Sequence, residues 1–306
     1  MTKPAFPRLQ AIGILLFLGL MFGANHVAAR IAFDHGVGLS VAVLVRSGVT
    51  ALVLLGVLLV HKTPLRIPAG MRPWALVLGF LISVQSLLLY SAVARIPVAL
   101  ALLAFNTFPL LYVLLTWALG GKAPGVRALA FMGIILIGLA FALDAPDRLS
   151  GVATGAPIAE GIAYGLGAAV VFTASLWVTE KRLQTLPGAL RSGTTMALVC
   201  LAMVLANIVG VLPGGNALTG AGWPTDSQGW LGLAVLTALY GGAFSAFFIL
   251  MPRLDMARNA PASNIEPIAA LALGWVILGQ TLKPSQLVGA LIVVAGIVLL
   301  SRTAQR

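Results

Sequence analysis

Charge is what this sequence has least of. Asp, Glu, Lys and Arg together make up 9% of its 306 residues, where a water-soluble domain carries roughly 25%. So few charges do not coat a globule of this length, which excludes a soluble fold and turns most of the surface toward lipid. Cysteine is nearly missing as well. Cys200 stands alone inside the apolar run from Ala197 to Ile208, which excludes an intramolecular disulfide and a cysteine metal cluster and leaves a small packing residue. No Gly-x-x-x-x-Gly-Lys-Ser/Thr run occurs, so the chain brings no ATPase of its own. With one acid inside the membrane and three scattered histidines, neither paired carboxylates nor a metal-ligand spacing can be drawn. No catalytic residue, metal or cofactor is assigned.

What fills the sequence instead is apolar: 60% hydrophobic residues, a mean hydropathy of +1.04, and 34 glycines of the kind that let membrane helices approach closely. A spanning helix needs about 20 mostly apolar residues. Ten segments qualify: Leu9 to Ala32, Leu39 to Val60, Trp74 to Ala94, Val98 to Leu119, Val126 to Leu143, Pro157 to Thr179, Ala189 to Leu212, Trp230 to Met251, Asn259 to Leu278 and Leu287 to Leu300. The first, preceded by Lys3 and Arg8, reads as an uncleaved span rather than a signal peptide. The net charge of +11 comes from short basic clusters between these runs. That pattern fits the positive-inside bias and excludes a nucleic-acid surface.

The same clusters orient the chain. Lys3, Arg8, Lys62, Arg66, Arg72, Lys122, Arg127, Lys181, Arg182, Arg191, Arg253, Arg258, Arg302 and Arg306 fall on one side, and Arg30, Arg95, Arg148 and Lys283 on the other. Both termini are therefore expected on the cytoplasmic side of a cell inner membrane.

The chain also repeats itself. Arg46-Ser47-Gly48-Val49-Thr50 returns as Arg191-Ser192-Gly193-Thr194-Thr195. Arg95, Asn106, Pro109, Gly121 and Gly138 return 158 positions later as Arg253, Asn264, Pro267, Gly279 and Gly296. Each half, 9–143 and 157–302, then holds five helices. Five is odd, so the second half enters the membrane inverted relative to the first. The expected fold is all-α: a polytopic membrane protein of ten transmembrane helices in two inverted five-helix repeats. Such repeats characterise alternating-access transporters, which hold a small-molecule substrate near the midplane between the halves.

In this order and spacing the chain resembles the EamA-like branch of the drug/metabolite transporter superfamily, over essentially its whole length. The resemblance rests on Arg46 and Arg191, on Asn264-Ile265-Glu266-Pro267, on Gly274-Trp275 and Leu278-Gly279, and on the Gly289 to Gly296 spacing. The family often carries Glu after the glycine that closes the fourth and ninth helices. This chain has Lys122 and Gln280 there instead. The resemblance implies a central cavity and transport of amino acids, related metabolites or drugs, commonly as export. The alternative class is an intramembrane enzyme acting on a lipid-soluble substrate.

Polar groups inside the spans are the informative ones, because a charge at a helix centre costs roughly 2.5–3.5 kcal/mol on insertion scales. Glu266 is the one acid well inside a span. It reads as a substrate or proton site, with protons as the coupling ion, or as a carboxyl bonded to a neighbouring helix. Asn106 and Asn264 stand three residues before Pro109 and Pro267. A proline opens the helix and frees the carbonyl one turn earlier, here at Phe105 and Ser263. The two sites read as cavity-lining hinges or as local helix repair. Asn25 and His26, in the outer half of the first helix, bind substrate or relay protons, or are simply packed. Gln85, Tyr90, Tyr112, Tyr164, Trp177 and Tyr240 offer rings and polar tips to a ligand or to the membrane interface. The candidate substrate-binding set is Asn25, His26, Gln85, Tyr90, Asn106, Tyr112, Trp177, Tyr240, Asn264 and Glu266. Arg46 and Arg191 are expected to snorkel or pair near an interface in preference to binding substrate.

The charge count makes a topological prediction. Reporter fusions at Asp147 and Asp226 should both report an external location. A cytoplasmic signal from either would remove the geometry of the inverted repeat.

Overall fold

The computed structural model describes residues 6–121, 123–142, 156–210, 220–250, 253–254 and 265–303, and among them there is no strand. Eleven helices carry the argument: α1 (Arg8–Asp34), α2 (Leu39–Val60), α3 (Arg72–Arg95), α4 (Val98–Phe105), α5 (Phe108–Ala118), α6 (Val126–Ala142), α7 (Ala156–Arg182), α8 (Gly188–Val209), α9 (Ser227–Leu250), α10 (Glu266–Leu278) and α11 (Pro284–Thr303). Proline punctuates their starts. Pro7, Pro97 and Pro187 precede α1, α4 and α8, and Pro73 lies in the first turn of α3. The N–H that proline lacks has no intrahelical partner at those positions.

Seven of the spans are apolar over 21 to 27 residues, and three shorter apolar helices cover Leu129–Gly138, Ile268–Leu278 and Pro284–Gly296. Large side chains on the outer faces point away from the bundle, among them Leu52, Phe80, Leu231, Trp275 and Val276, each more than 60% exposed. Leaving such side chains in water would forfeit about 1.5–3 kcal/mol apiece, so the surrounding phase is hydrocarbon. The fold is an all-α polytopic membrane bundle.

The fourth span is broken. α4 ends at Phe105 and α5 starts at Phe108, with Pro109 in its first turn. Asn106 donates both its backbone N–H and its side-chain amide to the Leu102 carbonyl, each at 2.8 Å. The Thr107 hydroxyl donates to Ala104 O at 2.8 Å. The side chains thus serve Leu102 and Ala104 rather than the Phe105 carbonyl singled out from the sequence. In the ninth span α10 begins at Glu266, with Pro267 in its first turn. Asn264 and the rest of that span lie outside the described residues. At its far end α10 closes on Gly279, whose φ of 62° is a left-handed conformation that glycine adopts without steric penalty. The next residue, Gln280, accepts the Val98 amide at 3.0 Å. It thereby satisfies an otherwise orphaned donor at the start of α4.

Helix packing follows the internal repeat. α1 runs along α9 as α3 runs along α7, α1 crosses α10 as α4 crosses α7, and α2 meets α9 as α3 meets α8. Exchanging α1 for α7, α2 for α8, α3 for α9, α4–α5 for α10 and α6 for α11 maps each of these contacts onto its counterpart. The α2–α8 and α6–α11 contacts map onto themselves. The last pair shows the symmetry atom by atom. A Cβ on Gly138 would stand 2.7 Å from Ile292 Cγ2 and 2.9 Å from the Val293 amide nitrogen, and one on Gly296 would stand 2.6 Å from Ile135 Cγ1. Gly138 and Gly296 are the glycines matched 158 positions apart, and Ile135 and Val293 share that spacing. These helix contacts of the two halves are thus exchanged with one another.

One end of the bundle is fastened by charge. The Arg30 guanidinium bonds Asp34 at 2.9 Å and donates to Val93 O at 3.1 Å. Arg95 pairs with Glu160 at 3.4 Å and His35 with Asp226 at 2.8 Å. These ties gather the ends of α1 and α3 with the starts of α7 and α9 on one face. Asp226 also accepts the Gly229 amide at 2.7 Å, capping α9. That bond first, and the His35 ring second, hold its carboxyl below the usual value.

The glycine contacts are directly testable. Gly138→Leu and Gly296→Leu should each lower the thermal midpoint of purified protein, by the equivalent of about 1–3 kcal/mol for overpacking. Gly56→Leu, where a Cβ meets nothing within 4 Å, should leave it unchanged. Equal behaviour of all three would refute the close α6–α11 approach.

Candidate functional site

The polar interior of the bundle starts from another glycine. A Cβ on Gly23 would lie 3.0 Å from both the Ala269 Cβ and the Glu266 carbonyl, so its absence lets α1 lie against the first turn of α10. One turn along α1, His26 Nε2 stands 3.4 Å from Glu266 Oε1, their side chains 6% and 21% exposed. Glu266 opens α10, where the aligned peptide dipoles favour negative charge. The contact is an ion pair whenever the imidazole holds both protons.

Arg46 supplies the second half of the site. The inward stripe of α2 includes Val43, Arg46, Ser47, Thr50, Leu54 and Leu58, the three-to-four spacing of one helix face. Ser86 and Tyr90, four apart on α3, meet it. Arg46 Nη1 donates to Tyr90 Oη at 3.0 Å and Nη2 to Ser86 Oγ at 2.7 Å. The guanidinium carbon sits 4.4 Å from the Tyr90 ring centroid and 4.1 Å from that of Tyr240. Tyr90, fully buried, also meets the His26 ring edge-on at 6.0 Å. Glu266, His26, Tyr90, Arg46 and Tyr240 thus form one connected run. It draws α1, α2 and α3 from the first repeat and α9 and α10 from the second.

Arg46 is 5% exposed, which corrects its expected place at an interface. Its depth along the chain was compatible with snorkelling, but its helix face points inward. Arg191, the repeat-matched arginine, is nearer its helix end and donates to the Leu183 carbonyl at 3.3 Å. Ser86 was missed altogether. Its four-residue spacing from Tyr90 was the available signal.

Several buried polar atoms have no hydrogen-bond partner among the described residues: both amide atoms of Asn25, His26 Nδ1, Arg46 Nε, and the hydroxyls of Thr237 and Ser245. Gly232 packs on Ala32 and Gly242 on Met21, and this antiparallel register sets Thr237 of α9 level with His26 of α1. Groups of this kind inside an apolar bundle are costly unless a partner is supplied.

The remaining candidates lie elsewhere. Gln85 is buried on α3 beside Ser86. Asn106 caps the broken fourth span as described above. Tyr112 of α5 donates to Glu180 near the end of α7. Trp177 packs near the same end, with the Arg182 guanidinium 5.8 Å from its ring. Tyr164 lies under Arg95 at 4.8 Å, at the charged face. A separate groove of about 640 Å³ lies between α1 and α9, lined by Phe17, Leu18, Met21, Gly242 and Leu250 among others. Gln10 is its one polar side chain, so it offers little to orient a solute.

A family model described as the EamA-like transporter family matches residues 10–143 and again 159–302. The chain belongs to this family. Through it the chain also belongs to the drug/metabolite transporter superfamily. Among curated proteins it is similar to the uncharacterized transporter sll1319 of Synechocystis sp. (strain ATCC 27184 / PCC 6803 / Kazusa), with 28% identity over 231 residues. That match takes in 73% of this chain and 64% of the relative, so the EamA-like chain spans less than two thirds of the relative's length. A protein of solved crystal structure superposes with a TM-score of 0.64 over 98% of this chain and 100% of its own, at 21% identity. That likeness concerns the fold alone.

Proposed function

We propose that this chain is a secondary transporter which exports small organic solutes, of the amino-acid, metabolite or drug kind, by alternating access. We place it in the cell inner membrane with both termini cytoplasmic and with protons as the coupling ion. The observation that carries this reading is the polar run from Glu266 to Tyr240, built from both repeats at their junction inside an otherwise apolar bundle. A binding site on the pseudo-two-fold junction is the one place that rocking of the repeats exposes first to one side and then to the other. The EamA-like match and the transporter-named relative point the same way.

The residues divide the work. Glu266 and His26 face each other across the repeat boundary, so a proton on either one changes the attraction between α1 and α10. The broken fourth span and the α10 start at Glu266–Pro267 are the places where a helix segment tilts without breaking a continuous hydrogen-bond ladder. Asn106, by capping α4, keeps its end intact as that happens.

Purified protein in liposomes, screened against amino acids and cationic drugs with and without a pH gradient, tests the reading. Glu266→Gln keeps the size of the side chain and removes its charge. It should give folded, inserted protein whose transport is lost or no longer responds to the gradient. Normal rates with the normal pH response would make Glu266 structural and end the proton-coupling proposal.

A further inference from the structure

We infer that Arg46 is an anion subsite and that the transported solute carries a carboxylate bound by this guanidinium. The inference rests on the transport reading above and narrows its substrate class. Guanidinium offers five N–H donors and no acceptor. In Arg46 one goes to Tyr90 and one to Ser86, while Nε is buried and has no partner among the described residues. Among the described residues no carboxylate pairs with it. The Tyr90 and Tyr240 ring centroids lie 4.4 and 4.1 Å from its central carbon, and the Nε edge carries a donor with no partner among the described residues. A planar carboxylate fits that edge through two parallel N–H···O bonds.

The surroundings favour an organic anion with a flat or bulky apolar body. Tyr240 stacks on Phe244 at 5.3 Å and meets Phe22 edge-on at 6.3 Å, a surface suited to a ring beside the charged head. Asn25, fully buried and with both amide atoms unpartnered among the described residues, follows Phe22 by three residues on α1 and offers a further donor and acceptor. Glu266 lies at the other end of the run with His26, so an amine on the solute is permitted but is not what Arg46 selects.

The test is equilibrium binding, kept separate from transport. Thermal midpoints of the purified chain in neutral phosphatidylcholine nanodiscs would be compared with equimolar phenylalanine, 3-phenylpropionate, phenylalaninamide and chloride. Phenylalanine and 3-phenylpropionate should raise the midpoint, and phenylalaninamide and chloride should not. Arg46→Gln should weaken the two carboxylates by roughly 10- to 100-fold, the range for a lost charge-assisted bond. Arg46→Lys, which keeps charge but not the planar edge, should fall between. Equal stabilisation by phenylalaninamide, a response to chloride alone, or no response to either carboxylate overturns the subsite. So does an undiminished carboxylate response in Arg46→Gln. The congener comparison in the unaltered protein stands even where a variant fails to fold. Carboxylates that bind through Arg46 yet never cross the liposome membrane would instead fail the transport reading alone.

Discussion

A guanidinium held inside an apolar bundle sets the terms for what surrounds it. Desolvating an ion costs several kcal/mol even after relaxation, and Arg46 sits 5% exposed with no described carboxylate against it. Two aromatic faces return about 2 kcal/mol each when desolvated, and the bonds to Tyr90 and Ser86 add to this. Those requirements fix which faces of α2, α3 and α9 meet. Tyr90 serves both sides of the arrangement: its hydroxyl and ring hold Arg46, and its other edge meets His26. Through His26 the constraint reaches Glu266 and the first turn of α10. A charge that cannot leave the interior thus links helices of both repeats.

The apolar framework makes that possible by close approach at a few glycines. Gly23 admits α10 against α1, and Gly138 and Gly296 lock α6 to α11 reciprocally. In lipid, helices gain little from hiding apolar area from one another, so tight van der Waals contact has to hold them. The α6–α11 contacts at Gly138 and Gly296 are close and reciprocal. The α1–α9 and α1–α10 contacts carry the unpartnered polar groups instead.

Much of the fold was legible because lipid constrains sequence harshly. Ten apolar segments, their basic flanks and the 158-residue echo of Gly138 in Gly296 led to an all-α bundle of two repeats, and the structure and the family match agree. The Asn-x-x-Pro spacing pointed to a break in the fourth span, but not to Leu102 as the carbonyl that Asn106 serves. The site was harder to read. His26, Tyr90, Tyr240 and Glu266 come together around Arg46, while Tyr112 and Trp177 sit near the C-terminal end of α7. Hydropathy places a residue along a helix and says little about which neighbour its face meets. Arg46 shows the difficulty best: an arginine a few residues from a helix end has the same sequence signature whether it snorkels outward or turns between two tyrosines.

The claim at the centre of this account is the proposal that the polar run at the junction of the repeats is exposed to each side of the membrane in turn, and thiol accessibility tests it most directly. Thr237→Cys in a Cys200→Ala background puts one thiol level with His26, in place of a hydroxyl without a partner among the described residues. A membrane-impermeant thiol reagent would be applied separately to each side of oriented proteoliposomes. Labelling from both sides, at rates shifted in opposite directions by an imposed pH gradient, is the expected result. A thiol reached from neither side, or from one side only whatever the gradient, would make the polar run a sealed structural core and contradict the account.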